Sequence, residues 1–145
     1  MKRQAYLDLK DRQRKEIEDF PIAYAFSEEQ LKMALKKLGA TKEECVSIFG
    51  HGDIVKKVDA PRFVAMLKRH DKEVREALVA DKDFAVEAFL YEMDNHEYAI
   101  NWSGDEDVLG CFGLEAEDLD KLDLRNQYLL ARKRHMDHAR KWDMI

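Results

Sequence analysis

Apolar residues recur every three to four positions along most of this chain and every two positions in a few short stretches, a pattern that predicts helices around a small sheet. Residues 3–18 read as a helix with a thin apolar face of Tyr6, Leu7, Leu9 and Ile17. Pro21 interrupts the helical period, and the alternation of Ile22, Tyr24 and Phe26 predicts a short strand. Ser27-Glu28-Glu29-Gln30 has the form of a capping box, starting a helix that ends at Leu38 with Gly39 as its left-handed cap. Thr41-Lys42-Glu43-Glu44 repeats the capping form, and Cys45 to Phe49 fits either a helical turn or a strand. The turn Gly50-His51-Gly52-Asp53 and the run Ile54 to Val58 suggest a hairpin or a loop entering a strand. Asp59 then caps a helix from Ala60 to about Ala80 that buries Phe63, Leu67, Val74 and Leu78.

The most apolar part of the chain runs from Phe84 to Trp102. Phe84, Val86, Ala88, Phe89, Leu90, Tyr91 and Met93 make a stripe wide enough for a helix buried on more than one side. From Tyr98 the period changes to two, and Tyr98, Ile100 and Trp102 predict a second strand region. Asp105 would cap a brief helix with Val108, Leu109 and Phe112, closed by Gly113. A final helix over residues 115–142 would bury Leu119, Leu122, Leu129 and Met136. The expected fold is a helix-rich α+β single domain over residues 1–145, with a small sheet of two to four strands and no internal repeat.

A composition of 46% hydrophobic and 38% charged residues fits a globular chain able to bury a core without metals or disulfides. Cys45 and Cys111 share no CxxC spacing and are expected as reduced core thiols in a cytoplasmic protein. The charged amino terminus does not resemble a secretory signal, and no apolar run is long enough to span a bilayer. The net charge of −5 conceals a separation of sign. Asp105, Glu106, Asp107, Glu115, Glu117, Asp118, Asp120 and Asp123 face only Lys121, whereas Arg125, Arg132, Lys133, Arg134, Arg140 and Lys141 outnumber Asp137 and Asp143. Solvated helix faces explain both blocks; the sharper reading is one surface for a basic protein groove and another for phosphate.

Three constellations can carry chemistry. Glu92 and His96 are four apart, with Glu97 next, and such a carboxylate–imidazole pair can bind a metal or exchange protons, completed by His51 or His70. The plainer reading makes Asn95 and His96 the cap of their helix. Gly50-His51-Gly52 with Lys56-Lys57 could cradle a phosphate, but it lacks the ending of a P-loop, and a turn requiring positive φ suffices. Arg132-Lys133-Arg134, near Tyr128 and Trp142, resembles a phosphate-binding helix, against an acidic pI near 5.6. His135 and His138 read as ordinary surface histidines.

The stretches 25–30 and 36–39, the Gly50-x-Gly52 loop with Ile54, Ala88 to Glu92, Asn95 to Tyr98, Asp105-x-Asp107-Val108-Leu109 and Gly113-Leu114 resemble a family of small uncharacterised proteins of phages and bacterial mobile elements. The loop there is a longer run of glycines, which His51 and Asp53 interrupt here. The resemblance implies a cytoplasmic accessory protein and supplies no catalytic residues. The leading expectation is a non-enzymatic protein that binds a host macromolecule through Asp105, Glu106, Asp107, Glu117, Asp118 and Asp120, in the manner of an anti-CRISPR inhibitor of a nucleic-acid enzyme, with no cofactor and no membrane role. The alternatives are a metal-assisted hydrolase or nuclease built on Glu92, His96, Glu97 and His51, and a nucleic-acid-binding protein using Arg132, Lys133 and Arg134.

Overall fold

Where the apolar period and a capping signal coincide, helices form within a residue or two of the expected ends. The structure is a computed structural model that describes residues 2–100 and 102–141. Along the chain come α1 (Lys2–Asp19), β1 (Ile22–Tyr24), α2 (Glu28–Leu38), β2 (Cys45–Val46), β3 (Asp53–Lys56), α3 (Ala60–Ala80), α4 (Lys82–Asn95), α5 (Gly104–Gly110), α6 (Asp118–Lys121) and α7 (Arg125–Lys141). The architecture is therefore helix-rich α+β, with seven α-helices and one three-stranded antiparallel sheet among the described residues.

The chain divides into two compact units, residues 11–70 and residues 1–10 with 71–145, so that α1 and α3 each contribute to both. In the unit of residues 11–70 the strand order is β1-β3-β2, and Ile22 pairs with Val55 while Val46 pairs with the same Val55 from the other side. Strand alternation splits the side chains between two clusters. Ile22 and Val55 meet Phe63 on one, and Ala23 meets Ala34 and Leu38 of α2 on the other. The Ser27 hydroxyl accepts the Gln30 amide at 3.2 Å, as a capping box requires, while the Gln30 carboxamide accepts the Phe26 amide at 2.8 Å instead of that of Ser27. Gly39 adopts φ 64° and closes α2. Gly52 has φ 84°, and an added Cβ would lie 2.8 Å from the Ala25 carbonyl oxygen, so only glycine fits there.

In the other unit α4 is the centre, as its wide apolar stripe predicts. Phe84, Ala85, Val86, Ala88, Phe89, Glu92 and Met93 are all buried. Asp81 caps it by accepting the Phe84 amide at 3.1 Å. Phe89 meets Phe112 and Tyr128 edge to face, with centroids at 5.0 and 5.3 Å, and Tyr6 of α1 meets Phe84, Tyr91 and Phe112.

Four expectations are corrected here. Residues 98–100 form a 3-10 turn, not a strand: Glu97 takes φ 51° and re-aims the chain, so the alternation of Tyr98 and Ile100 is not a pleat. Asn101 and Trp142 lie outside the described residues. The final helix is two helices, because Asp123 adopts φ 57° between α6 and α7. The buried face of α7 is accordingly Tyr128, Ala131, His135 and Ala139, and Leu129 is exposed. His135 is buried: its Nδ1 lies 2.7 Å from Asp94 and its Nε2 accepts the Ala99 amide at 3.1 Å, which places the ring proton on Nδ1. Neither cysteine is a fully buried core thiol; Cys45 is partly buried and Cys111 exposed.

Candidate functional site

Helical spacing explains the principal cluster. Tyr6 and Lys10 are four apart on α1 and share a face, and both reach Glu92 on the inner side of α4. The Tyr6 hydroxyl donates to Glu92 Oε2, and Lys10 Nζ lies 2.6 Å from the same oxygen. The Glu92 side chain is fully buried, whereas that of Lys10 is 41% exposed. Burial first, then the hydrogen bond to Glu92, raise the Tyr6 phenol above its ordinary range.

The second carboxylate oxygen of Glu92 behaves differently. Oε1 receives no hydrogen bond among the described residues, and His96 Nε2 stands 3.9 Å away, beyond hydrogen-bond reach. His96 follows one turn after Glu92 and caps α4, its amide donating to the Glu92 carbonyl at 2.9 Å. The positive φ falls on Glu97, not on Asn95. Past the 3-10 turn, Gly104 comes so close to Tyr98 that a Cβ would sit 2.7 Å from the ring, and α5 then delivers Cys111. Its sulfur lies 3.2 Å from His96 Nε2 and donates to the Asp107 carbonyl at 3.2 Å. Partial burial of the sulfur and the nearby Glu92 carboxylate push the thiol up to about 11. Ligand atoms of Glu92, His96 and Cys111 all fall within 4.8 Å of one another.

The expected metal set thus meets in part. Glu92 and His96 converge, Glu97 is exposed, and Cys111 takes the third place. His51 belongs to the glycine loop of the other unit, where the carboxylate of Asp53 governs the turn. Asp53 accepts from the Ser47 hydroxyl at 2.8 Å and from the amides of Ile48, Phe49 and His51 at 2.7, 3.1 and 3.3 Å. Burial opposes its charge, yet these donors, led by Phe49, prevail and hold the carboxyl at about 2. The His51 amide is thus bound to the Asp53 carboxylate and the Gly50 amide to the Ser47 hydroxyl at 2.8 Å, so neither is offered to a phosphate.

The acidic stretch is largely engaged within the fold. Asp105 accepts from both Tyr98 and Tyr128, Asp107 from Ser103 at 3.2 Å, and Asp118 from the Glu115 amide at 2.9 Å. Asp120 takes the Arg125 guanidinium through two bonds at 2.6 and 3.2 Å. Glu106 and Glu117 are left facing outward. The basic stretch is engaged too: Lys133 pairs with Asp137 at 2.6 Å, Arg134 with Glu87 at 3.5 Å, and Arg132 approaches the Tyr98 hydroxyl. Asp143 lies outside the described residues.

Sequence spacing could find Glu92 with His96 and Tyr6 with Lys10. It missed Cys111 and Asp53, whose roles arise only from the turns that carry them.

The fold and its buried carboxylates define a helix-rich α+β protein with a short open-edged sheet. The profile of the family of unknown function DUF7659 matches residues 5–134, and the chain belongs to that family. The match brings neither a source nor an activity with it. No curated protein and no solved structure matches the chain. Among the described residues, no helix is long and apolar enough to cross a membrane.

Proposed function

We infer that this chain is a non-enzymatic binding protein that takes up an extended segment of another protein along the open edge of β1. The carrying observation is the edge itself. The Ala25 amide donates to the Gly52 carbonyl at 2.9 Å, so in the antiparallel alternation Ala23 turns its polar groups toward β3 and Tyr24 turns its own outward. The Ile22 amide already donates to the Phe20 carbonyl at 2.7 Å, so the open part of the edge is at Tyr24, and an unpaired edge is a template for one more strand.

A groove of about 490 Å³ runs beside that edge, walled by Ile17, Glu18, Ile22, Tyr24, Met33 and Lys37 among others, all within the unit of residues 11–70. Tyr24, Phe26 and Met33 are 53%, 75% and 72% exposed, an unusual concentration of large apolar side chains at a surface. Among the described residues Lys37, which lines the groove opposite to Glu18 in charge, forms no ion pair, so the groove suits a segment with alternating apolar side chains and an acid placed at Lys37. We prefer this edge to the acidic stretch, where Asp105, Asp107, Asp118 and Asp120 already accept hydrogen bonds within the fold.

Selection from a library of random ten-residue peptides tests this directly. The expected winners alternate apolar residues with an acid and bind at least tenfold more weakly to Tyr24→Pro, which removes an outward amide and no ladder bond. Winners that bind wild type and Tyr24→Pro equally, or a chain that light scattering shows to be a dimer through this edge, would overturn the reading.

A further inference from the structure

The Glu92 cluster lies in the other unit and answers a different question: why a buried carboxylate keeps one oxygen without a donor. We propose that Glu92 Oε1, His96 Nε2 and Cys111 Sγ form a three-ligand site for a zinc-type divalent transition metal. Glu92 is fully buried, and its free oxygen points at the imidazole and thiol. A buried acceptor with no donor is costly, and a cation bound there would satisfy it.

The donor set selects the ion. One thiolate, one imidazole and one carboxylate oxygen suit zinc, cobalt or a similar borderline metal, whereas magnesium and calcium prefer oxygen alone. The geometry is nearly in place. Tetrahedral coordination at metal bonds of about 2.0–2.3 Å sets ligand atoms about 3.3–3.8 Å apart. Here the sulfur and imidazole nitrogen are 3.2 Å apart, the nitrogen and carboxylate oxygen 3.9 Å, and all three lie within 4.8 Å.

The surrounding groups fit supporting roles. Tyr6 and Lys10 hold Oε2, which fixes the carboxylate plane and leaves Oε1 to the metal, as outer partners do in metal sites. The Lys10 ammonium offsets one of the two ligand charges, so the site with metal carries one net positive charge. On binding, the thiol proton leaves to solvent as the metal–sulfur bond forms, and the hydrogen bond to the Asp107 carbonyl is given up. Three protein ligands leave a fourth position for water.

Cobalt titration of the reduced, untagged chain tests the site. The expected result is one equivalent bound, with a thiolate charge-transfer band in the near ultraviolet, visible bands of tetrahedral cobalt, and displacement of both by zinc. Cys111→Ser should remove the near-ultraviolet band and weaken binding at least tenfold, and His96→Gln should weaken it similarly. Cys45→Ser should change neither. Because Cys111 is exposed, its serine variant is expected to fold, and far-ultraviolet circular dichroism verifies this. A chain without the near-ultraviolet band, a band that survives Cys111→Ser, or one lost in Cys45→Ser would overturn the assignment.

Discussion

Asp53 and Glu92 are both buried carboxylates, and each is the polar centre of its own unit, yet they are satisfied in opposite ways. Asp53 gathers donors from Ser47, Ile48, Phe49 and His51, all within six residues of itself, and both of its oxygens are engaged. Glu92 draws its donors from α1, far away in sequence, and both fall on a single oxygen. The first arrangement is closed: it pins the β2–β3 turn and has no capacity for a ligand. The second is half open, with an imidazole and a thiol beside the unused oxygen. A buried polar group with a complete set of local donors therefore reads as structure, and one with an incomplete set as a site.

Deletion of the Asp53 carboxylate breaks this comparison most forcefully. Asp53→Ala removes the shared acceptor of a hydroxyl and three amides that hold the turn, so it should cost about 3 kcal/mol in urea unfolding. A loss below about 1 kcal/mol would mean that the donors find water and that the carboxylate does not hold the hairpin.

Acid sharpens the same point with a smaller effect. The folded pKa of Asp53, about 2, lies below its ordinary 3.8, so its contribution is fully present above the ordinary value and lost as pH falls from about 4 through about 2. That contribution is about 2 kcal/mol, and Asp53→Asn should remove this part of the pH dependence. An identical acid profile in the variant would contradict it.

Glu92→Met should have the smallest effect on stability, about 1–2 kcal/mol, because the partly exposed Lys10 ammonium can turn to water and only the Tyr6 hydroxyl loses a buried acceptor. The same variant should abolish the cobalt response. A destabilisation as large as that of Asp53→Ala would show Glu92 to be structural.

Much of this fold was legible because local signals agreed with the hydrophobic period. The caps Ser27 and Gly39 and the apolar stripes of α3 and α4 placed three helices, and Pro21 with its alternating neighbours placed β1. Legibility failed where a non-glycine residue turns left-handed. Glu97 converts an apparent strand into a 3-10 turn, and Asp123 splits an apparent long helix; neither residue type signals this by itself. The site was half legible for the same reason. Glu92 and His96 share a helix, so spacing joined them, but Cys111 reaches His96 across fifteen residues and two turns. Asp53 looked like a turn residue, and only the amides it collects from Ile48, Phe49 and His51 reveal what holds the glycine loop.

The most direct test of the contrast between a closed and a half-open carboxylate is X-ray absorption at the zinc edge of the zinc-loaded chain. The account predicts one sulfur at about 2.3 Å and nitrogen or oxygen ligands at about 2.0–2.1 Å, with the sulfur shell lost in Cys111→Ser. A shell of nitrogen and oxygen alone, unchanged by that substitution, would contradict it.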